Sequence, residues 1–207
     1  MLQLCQALMF EPHHFSALAE FLLKRSLDNP FVVGHEFFWQ LRSQLHVKTC
    51  FERYALLLEQ FLMVCGEYRE QVLREVRIND GLMKVANSIK LVDKEKRATE
   101  LEKQLGSFKM DYHIVGDFCL TVDPRMHVKD FLKNCKILSS KKLPLLLKME
   151  NSQRDAPPIT IIFKTGDDLR QDILTIQLIR IMDKIWLDAG FDFRMKPYKV
   201  KKKISKN

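Results

Sequence analysis

The stretch Ile159-Thr160-Ile161-Ile162-Phe163-Lys164-Thr165-Gly166-Asp167-Asp168-Leu169-Arg170-Gln171-Asp172 decides the architecture of the C-terminal half. Its first five residues are β-branched or aromatic and follow Pro157-Pro158, the composition of a short strand. Gly166 marks a tight turn, Asp168 is suited to cap the helix that follows, and Gln171 stands three residues on, where a capping box wants it. Apolar residues then recur through Ile173, Leu174, Ile176, Leu178, Ile179, Ile181, Met182, Ile185 and Trp186 to Gly190, a helix stop. This composition predicts a buried helix. Beyond it, Phe191, Phe193 and Met195 alternate with charged residues, as the opening of a strand would. Upstream, Lys136-Ile137-Leu138 and Leu143 to Leu147 are further strand candidates on either side of Ser139-Ser140-Lys141-Lys142. The pattern predicts three strands, a buried helix and a final strand.

Residues 1–105 have a different texture. They contain only two prolines and three glycines, so breakers are scarce where helices would suffer from them. Phe15, Leu18, Ala19, Phe21 and Leu22 fall at three- and four-residue steps, and Pro30 restarts the chain before Phe37, Phe38, Leu41 and Leu45 do the same. From Phe51 to Val64 the chain is apolar on most sides, which predicts a helix packed between neighbours. Gln71 to Leu105 reads as one long helix or two, with Asn79-Asp80-Gly81 as a candidate break. Short amphipathic helices bury their faces only against each other, so an α-helical solenoid or bundle is expected first and a small sheet after it, an α+β chain. Phe37, Phe38 and Trp39 belong to its core.

The net charge of +8 is unevenly spread. Residues 1–105 balance 14 basic against 14 acidic side chains, whereas the last twelve residues hold six lysines and no acid. Such a run is a solvated tail, or a weak attraction to anionic lipid. It lacks the aromatic interleaving that nucleic-acid binding uses. Five cysteines, Cys5, Cys50, Cys65, Cys119 and Cys135, form no CxxC pair and no metal-ligand spacing with the six histidines, so they read as buried thiols in a reducing compartment. No apolar run approaches the ~20 residues of a membrane span. An intracellular protein, at most peripheral to a membrane, is expected.

A strand ending in Lys164, followed by a tight turn and a helix bearing Asp172 near its start, is a phosphate-handling arrangement, because it fixes positive charge where negative charge gathers. The whole string from Ile161 to Asp172, continued by Ile179-Arg180-Ile181-Met182, Ile185-Trp186 and Phe193-Arg194-Met195-Lys196-Pro197-Tyr198, resembles the kinase N-lobe of the class I phosphatidylinositol 3-kinase catalytic subunits. Phe21-Leu22-Leu23-Lys24-Arg25, Phe37-Phe38-Trp39-Gln40-Leu41-Arg42-Ser43 and Gly66-Glu67-Tyr68 resemble the helical domain of the same family. The resemblance covers roughly residues 1–198 and is weakest between Val92 and His127. It implies a partial helical domain at 1–106, a connecting segment at 107–134, a partial N-lobe at 135–198 and a basic tail at 199–207.

The resemblance also implies roles. Lys164 matches the lysine that contacts ATP phosphates, Asp172 and Tyr198 match the inner adenine-pocket region, Ile162 an apolar wall, and Ser140 with Lys142 the loop covering the phosphates. Where the family has Trp after Pro-Leu, this chain has Leu146, which offers a ligand ring less flat surface. Family members act with ATP and Mg²⁺ on a membrane phosphoinositide, in the cytoplasm and peripherally at the plasma membrane, and their helical domain contacts a regulatory subunit. After Tyr198 the likeness stops: no catalytic loop, metal-binding Asp-Phe-Gly or activation loop occurs in the 207 residues, so the C-lobe is absent from them. The polypeptide alone is therefore expected to be inactive, a truncated or spliced product of a lipid kinase. The competing expectation is a non-catalytic helical scaffold that binds kinase partners.

Overall fold

The computed structural model describes residues 1–166 and 169–200, the side chain of Arg170 apart. Among these residues seven α-helices and five strands occur, helices first, as the change of periodicity predicts. The capping role expected of Asp168 lies outside the described residues, as does the end of the basic tail.

The N-terminal layer comprises α1 (Leu2–Ala7), α2 (Ala17–Asp28), α3 (His35–Arg42), α4 (Phe51–Val64) and the first half of α5 (Tyr68–Leu91). Ser16 starts α2 by accepting the Ala19 N–H at 3.2 Å, and Asn29 accepts the Val32 N–H at 3.2 Å over the wide Pro30–Gly34 turn. Each thereby satisfies an amide that the helix leaves unpaired. The core holds Leu22, Phe37, Leu41, Tyr54, Phe61, Tyr68 and Val72, all nearly inaccessible. Burying each such side chain contributes about 1.5–3 kcal/mol.

A second core lies between the rest of α5, α6 (Arg97–Asp111) and one face of the sheet. Ile78, Leu82, Val85 and Ile89 meet Leu101, Leu105 and Phe108, and beneath them Val128, Leu145, Leu147, Met149, Ile159 and Phe163. One helix thus serves both cores. Asn79-Asp80-Gly81 is not a break, because α5 runs through it. Gly81 is there for closeness: a Cβ would stand 2.9 Å from Phe108 Cζ and 3.0 Å from two Tyr112 ring carbons. The helix ends instead at Val92, whose backbone is extended.

The sheet contains β1 (Phe118–Leu120), β2 (Asp123–Phe131), β3 (Lys136–Ile137), β4 (Leu145–Asn151) and β5 (Ile159–Phe163), all antiparallel. β4 is central. It pairs with β5 from Leu145 opposite Phe163 to Met149 opposite Ile159, and with β3 and β2 along its other edge. Burial alternates along β4, with Leu145, Leu147 and Met149 inward.

Two further expectations fail. The last helix, α7 (Arg170–Asp188), forms and ends as predicted: Gly190 (φ +84°) donates to Leu187 O and Phe191 to Trp186 O, a Schellman stop. It is not buried, however. Among its described side chains only Ile176 is, while Leu174, Leu178, Ile181, Met182 and Ile185 keep 45–60% of their surface exposed, because no described element covers that stripe. Residues 191–200 form no strand either; Phe193 instead packs edge-on against Trp186 at 5.0 Å. No helix among the described residues is long and apolar enough to cross a membrane.

Candidate nucleotide site

Side chains of β5 alternate, so Ile159 and Phe163 enter the core while Thr160 and Ile162 face away. The β4–β5 register sets Leu146 opposite Ile162 on that outer face. Lys164 follows at the end of the strand, exposed, with no hydrogen bond or ion pair among the described residues. The next turn places Thr165, 5% exposed, and then Gly166 at φ +82°, where a side chain would be strained.

Between the strand, the helical layer and the C-terminal segment lies a cleft of about 830 Å³, a volume suited to a drug-sized ligand. Four residues singled out in the sequence, Ile162, Lys164, Asp172 and Tyr198, line it. Trp39, Ile78 and Leu82 form the opposite wall, with Asp123 and Met126 of β2. Lys164 and Asp172 share the cleft without forming an ion pair. Ser140, Lys142 and Leu146 do not line it. The Ser140 hydroxyl accepts the Lys142 N–H at 3.4 Å, and Lys142 Nζ donates to the Gly166 carbonyl at 2.8 Å, so this loop is fastened to the turn after Lys164.

Sequence reasoning missed two features of the cleft. Asp123 is buried, and burial pushes its carboxyl up, but hydrogen bonds from Arg125 and from Lys199 outweigh this and hold it well below the usual carboxylate range. Arg125 Nε and Nη2 stand 3.0 and 3.1 Å from its two oxygens, and Lys199 Nζ reaches the second. The first lysine of the basic tail is thus an ion-pair partner. Nothing in the spacing of residues 123 and 199 signals the contact. The second feature is a buried cluster beside Trp39: its indole donates to Glu75 at 3.2 Å, and His35 donates to Thr121 O at 2.9 Å through Nε2 while its Nδ1 lies 2.8 Å from the Tyr68 hydroxyl. This cluster ties the helical layer to the β1–β2 turn.

Among the described residues no group of three or more His, Cys, Asp or Glu side chains stands together to hold a metal ion.

A helical layer packed on an antiparallel sheet, with a strand lysine and a helix acid lining one cleft, is the arrangement expected of a kinase N-lobe behind an accessory helical domain. Comparison with known proteins agrees: residues 1–74 match the accessory domain (PIK domain) of the phosphoinositide 3-kinase family, and residues 158–206 match phosphatidylinositol 3- and 4-kinase. Phosphatidylinositol 3-kinase 2 and phosphatidylinositol 3-kinase 1 of Dictyostelium discoideum are 43% and 41% identical over 96% of this chain. The human phosphatidylinositol 4-phosphate 3-kinase C2 domain-containing subunit beta is 37% identical over 93% of it. The chain belongs to the phosphatidylinositol 3-kinase family. It spans only 11–12% of the length of these relatives.

Proposed function

We propose that this chain is the ATP-facing portion of a phosphatidylinositol 3-kinase of class I, an enzyme that transfers the ATP γ-phosphate to the 3-hydroxyl of an inositol phospholipid with Mg²⁺ present. The observation that carries the reading is the gathering of Ile162, Lys164, Asp172 and Tyr198 on one cleft. Ile162 offers an apolar surface to a base, and Lys164 offers a charge to phosphates. Asp172 is the acid that would steady that lysine once a nucleotide draws it in. The 207-residue polypeptide by itself does not transfer phosphate, because its residues include no catalytic loop to take the hydroxyl proton and no Asp-Phe-Gly to hold metal. In the complete enzyme the helical layer meets a regulatory subunit, and the protein works in the cytoplasm and at the inner surface of the plasma membrane.

The test is a titration of the purified chain with fluorescent trinitrophenyl-ATP. Saturable binding, displaced by ATP and weakened at least tenfold in Lys164→Ala, supports the reading, since a hydrogen bond to a charged group is worth about 1.5–3 kcal/mol. Equal binding by wild type and Lys164→Ala contradicts it. Phosphoinositide phosphorylation by the same preparation would overturn the inactivity of the polypeptide.

A further inference from the structure

We propose that Lys90, on the last turn of α5, is a positioning residue for Lys164; the proposal rests on the nucleotide reading of the cleft. Lys90 is distant in sequence and belongs to the helical layer, yet its Nζ donates to the Thr165 hydroxyl at 2.6 Å and lies 3.5 Å from the Thr165 carbonyl. Thr165 is the residue that follows Lys164, and for a polar residue in a turn its 5% exposure is low. At that position its hydroxyl has the Lys90 ammonium as its partner.

The placement of Lys90 is favourable in its own right. A cation at a helix C-terminus faces the unpaired carbonyls of the last turn. Its stem lies half-buried, whereas Lys84 on the same helix is exposed. The turn is then held from two directions. Lys90 grips Thr165 from the α5 side, and Lys142 donates to the Gly166 carbonyl at 2.8 Å from the β3–β4 loop. Of these three lysines, Lys90 and Lys142 spend donors on the backbone or side chains of the turn, and Lys164 alone has no partner among the described residues. The two ties fix the backbone from which Lys164 projects, so that its ammonium is presented to the cleft without having to be ordered by the ligand. A helical layer that serves only as packing needs no such contact with a turn at the far end of β5. Through it, a shift of α5 is passed to the phosphate-facing charge.

The experiment uses an acyl-phosphate derivative of ATP, which acylates a lysine amine held near the phosphates and releases the nucleotide. Labelling of Lys164 is followed by peptide mass spectrometry in the full chain, with ATP as competitor. Misplacing a reacting group by about 1 Å can cost about a hundredfold, and a turn released on one side is expected to cost about tenfold in labelling rate at saturating probe. Lys90→Met should show that loss with its melting temperature little changed, and Lys90→Arg should recover most of the rate. Thr165→Val should lose as much as Lys90→Met, and the double variant no more than either, as one shared contact requires. Unchanged labelling in Lys90→Met overturns the proposal. So does a loss in Lys90→Met that Thr165→Val does not reproduce, which would make Lys90 a distant charge. If the wild type shows no ATP-competed label on Lys164, the nucleotide reading fails first and this proposal falls with it.

Discussion

Two glycines in helix interiors should respond in opposite directions to the same substitution. Replacing glycine by alanine in a helix normally gains about 1 kcal/mol, because the unfolded chain loses freedom and the helix gains a better former. Gly106, inside α6, has no atom within 4 Å of an added Cβ and is exposed, so Gly106→Ala should collect that gain. Gly81, inside α5, should not. Its Cβ would stand 2.9 Å from Phe108 Cζ and 3.0 Å from Tyr112 Cδ1 and Cε1, against about 3.5–4.0 Å for carbon atoms at rest. Phe108 cannot yield easily: it is fully buried and lies between the Tyr112 ring at 4.7 Å and the Phe131 ring at 5.1 Å. Overpacking of this kind costs about 1–3 kcal/mol, and larger overlaps fall at the upper end. Setting this against the helix gain leaves Gly81→Ala about 1–2 kcal/mol less stable than wild type. Gly81→Val adds two methyl groups and loses helix propensity, so it should be worse still. Urea unfolding followed by far-ultraviolet circular dichroism measures all three. With a slope of about 2 kcal/mol per molar urea, Gly106→Ala should move the midpoint up by roughly 0.5 M and Gly81→Ala down by a similar amount or more. A stabilised Gly81→Ala would mean that α5 and α6 do not approach each other this closely.

The Asp123 carboxylate has a depressed pKa in the folded state, so its contribution is present above the ordinary carboxylate range and is lost as pH falls toward the folded value. Asp123→Asn should therefore cost about 1–2 kcal/mol at pH 7, and the gap to wild type should close as the pH is lowered below about 4; a gap that is constant with pH contradicts this. His35→Ala removes a fully buried ring that contacts Tyr68, Thr121 and Glu75, and should cost about 3 kcal/mol in urea unfolding, with a loss under 1 kcal/mol counting against the cluster. Burial pushes the Cys5 and Cys119 thiols up to about 12 and about 11, so neither should react with Ellman's reagent at neutral pH until denaturant is added; rapid reaction of either in the native protein would show that it is accessible.

The parts of the fold legible in the sequence were those decided locally. Phe51–Val64 was bounded as a helix because its apolar density and its neighbours agree, and β5 was bounded by Pro158 before it and Gly166 after it. β1 and β2 carry no such local signal. Val128 is the single strongly buried apolar residue in the middle of β2, whose other positions are mostly exposed, so the strand shows no alternation to detect. Asn79-Asp80-Gly81 looked like a turn because the reason for its glycine, Phe108, lies far along the chain. The exposure of α7 was illegible for the opposite cause, since its apolar stripe reports what the helix is able to bury and not what covers it. In the site, the strand composition of Ile159–Phe163 and the spacing from Lys164 to Asp172 were readable, whereas the contacts of Lys90 with Thr165 and of Lys199 with Asp123 depend on tertiary packing.

The most direct test of the account is a crystal structure of the chain with a non-hydrolysable ATP analogue. The account predicts the phosphates beside Lys164 and the base against Ile162, on the wall shared with Asp172 and Tyr198; a nucleotide bound away from Lys164, or no binding at millimolar concentration, would contradict it.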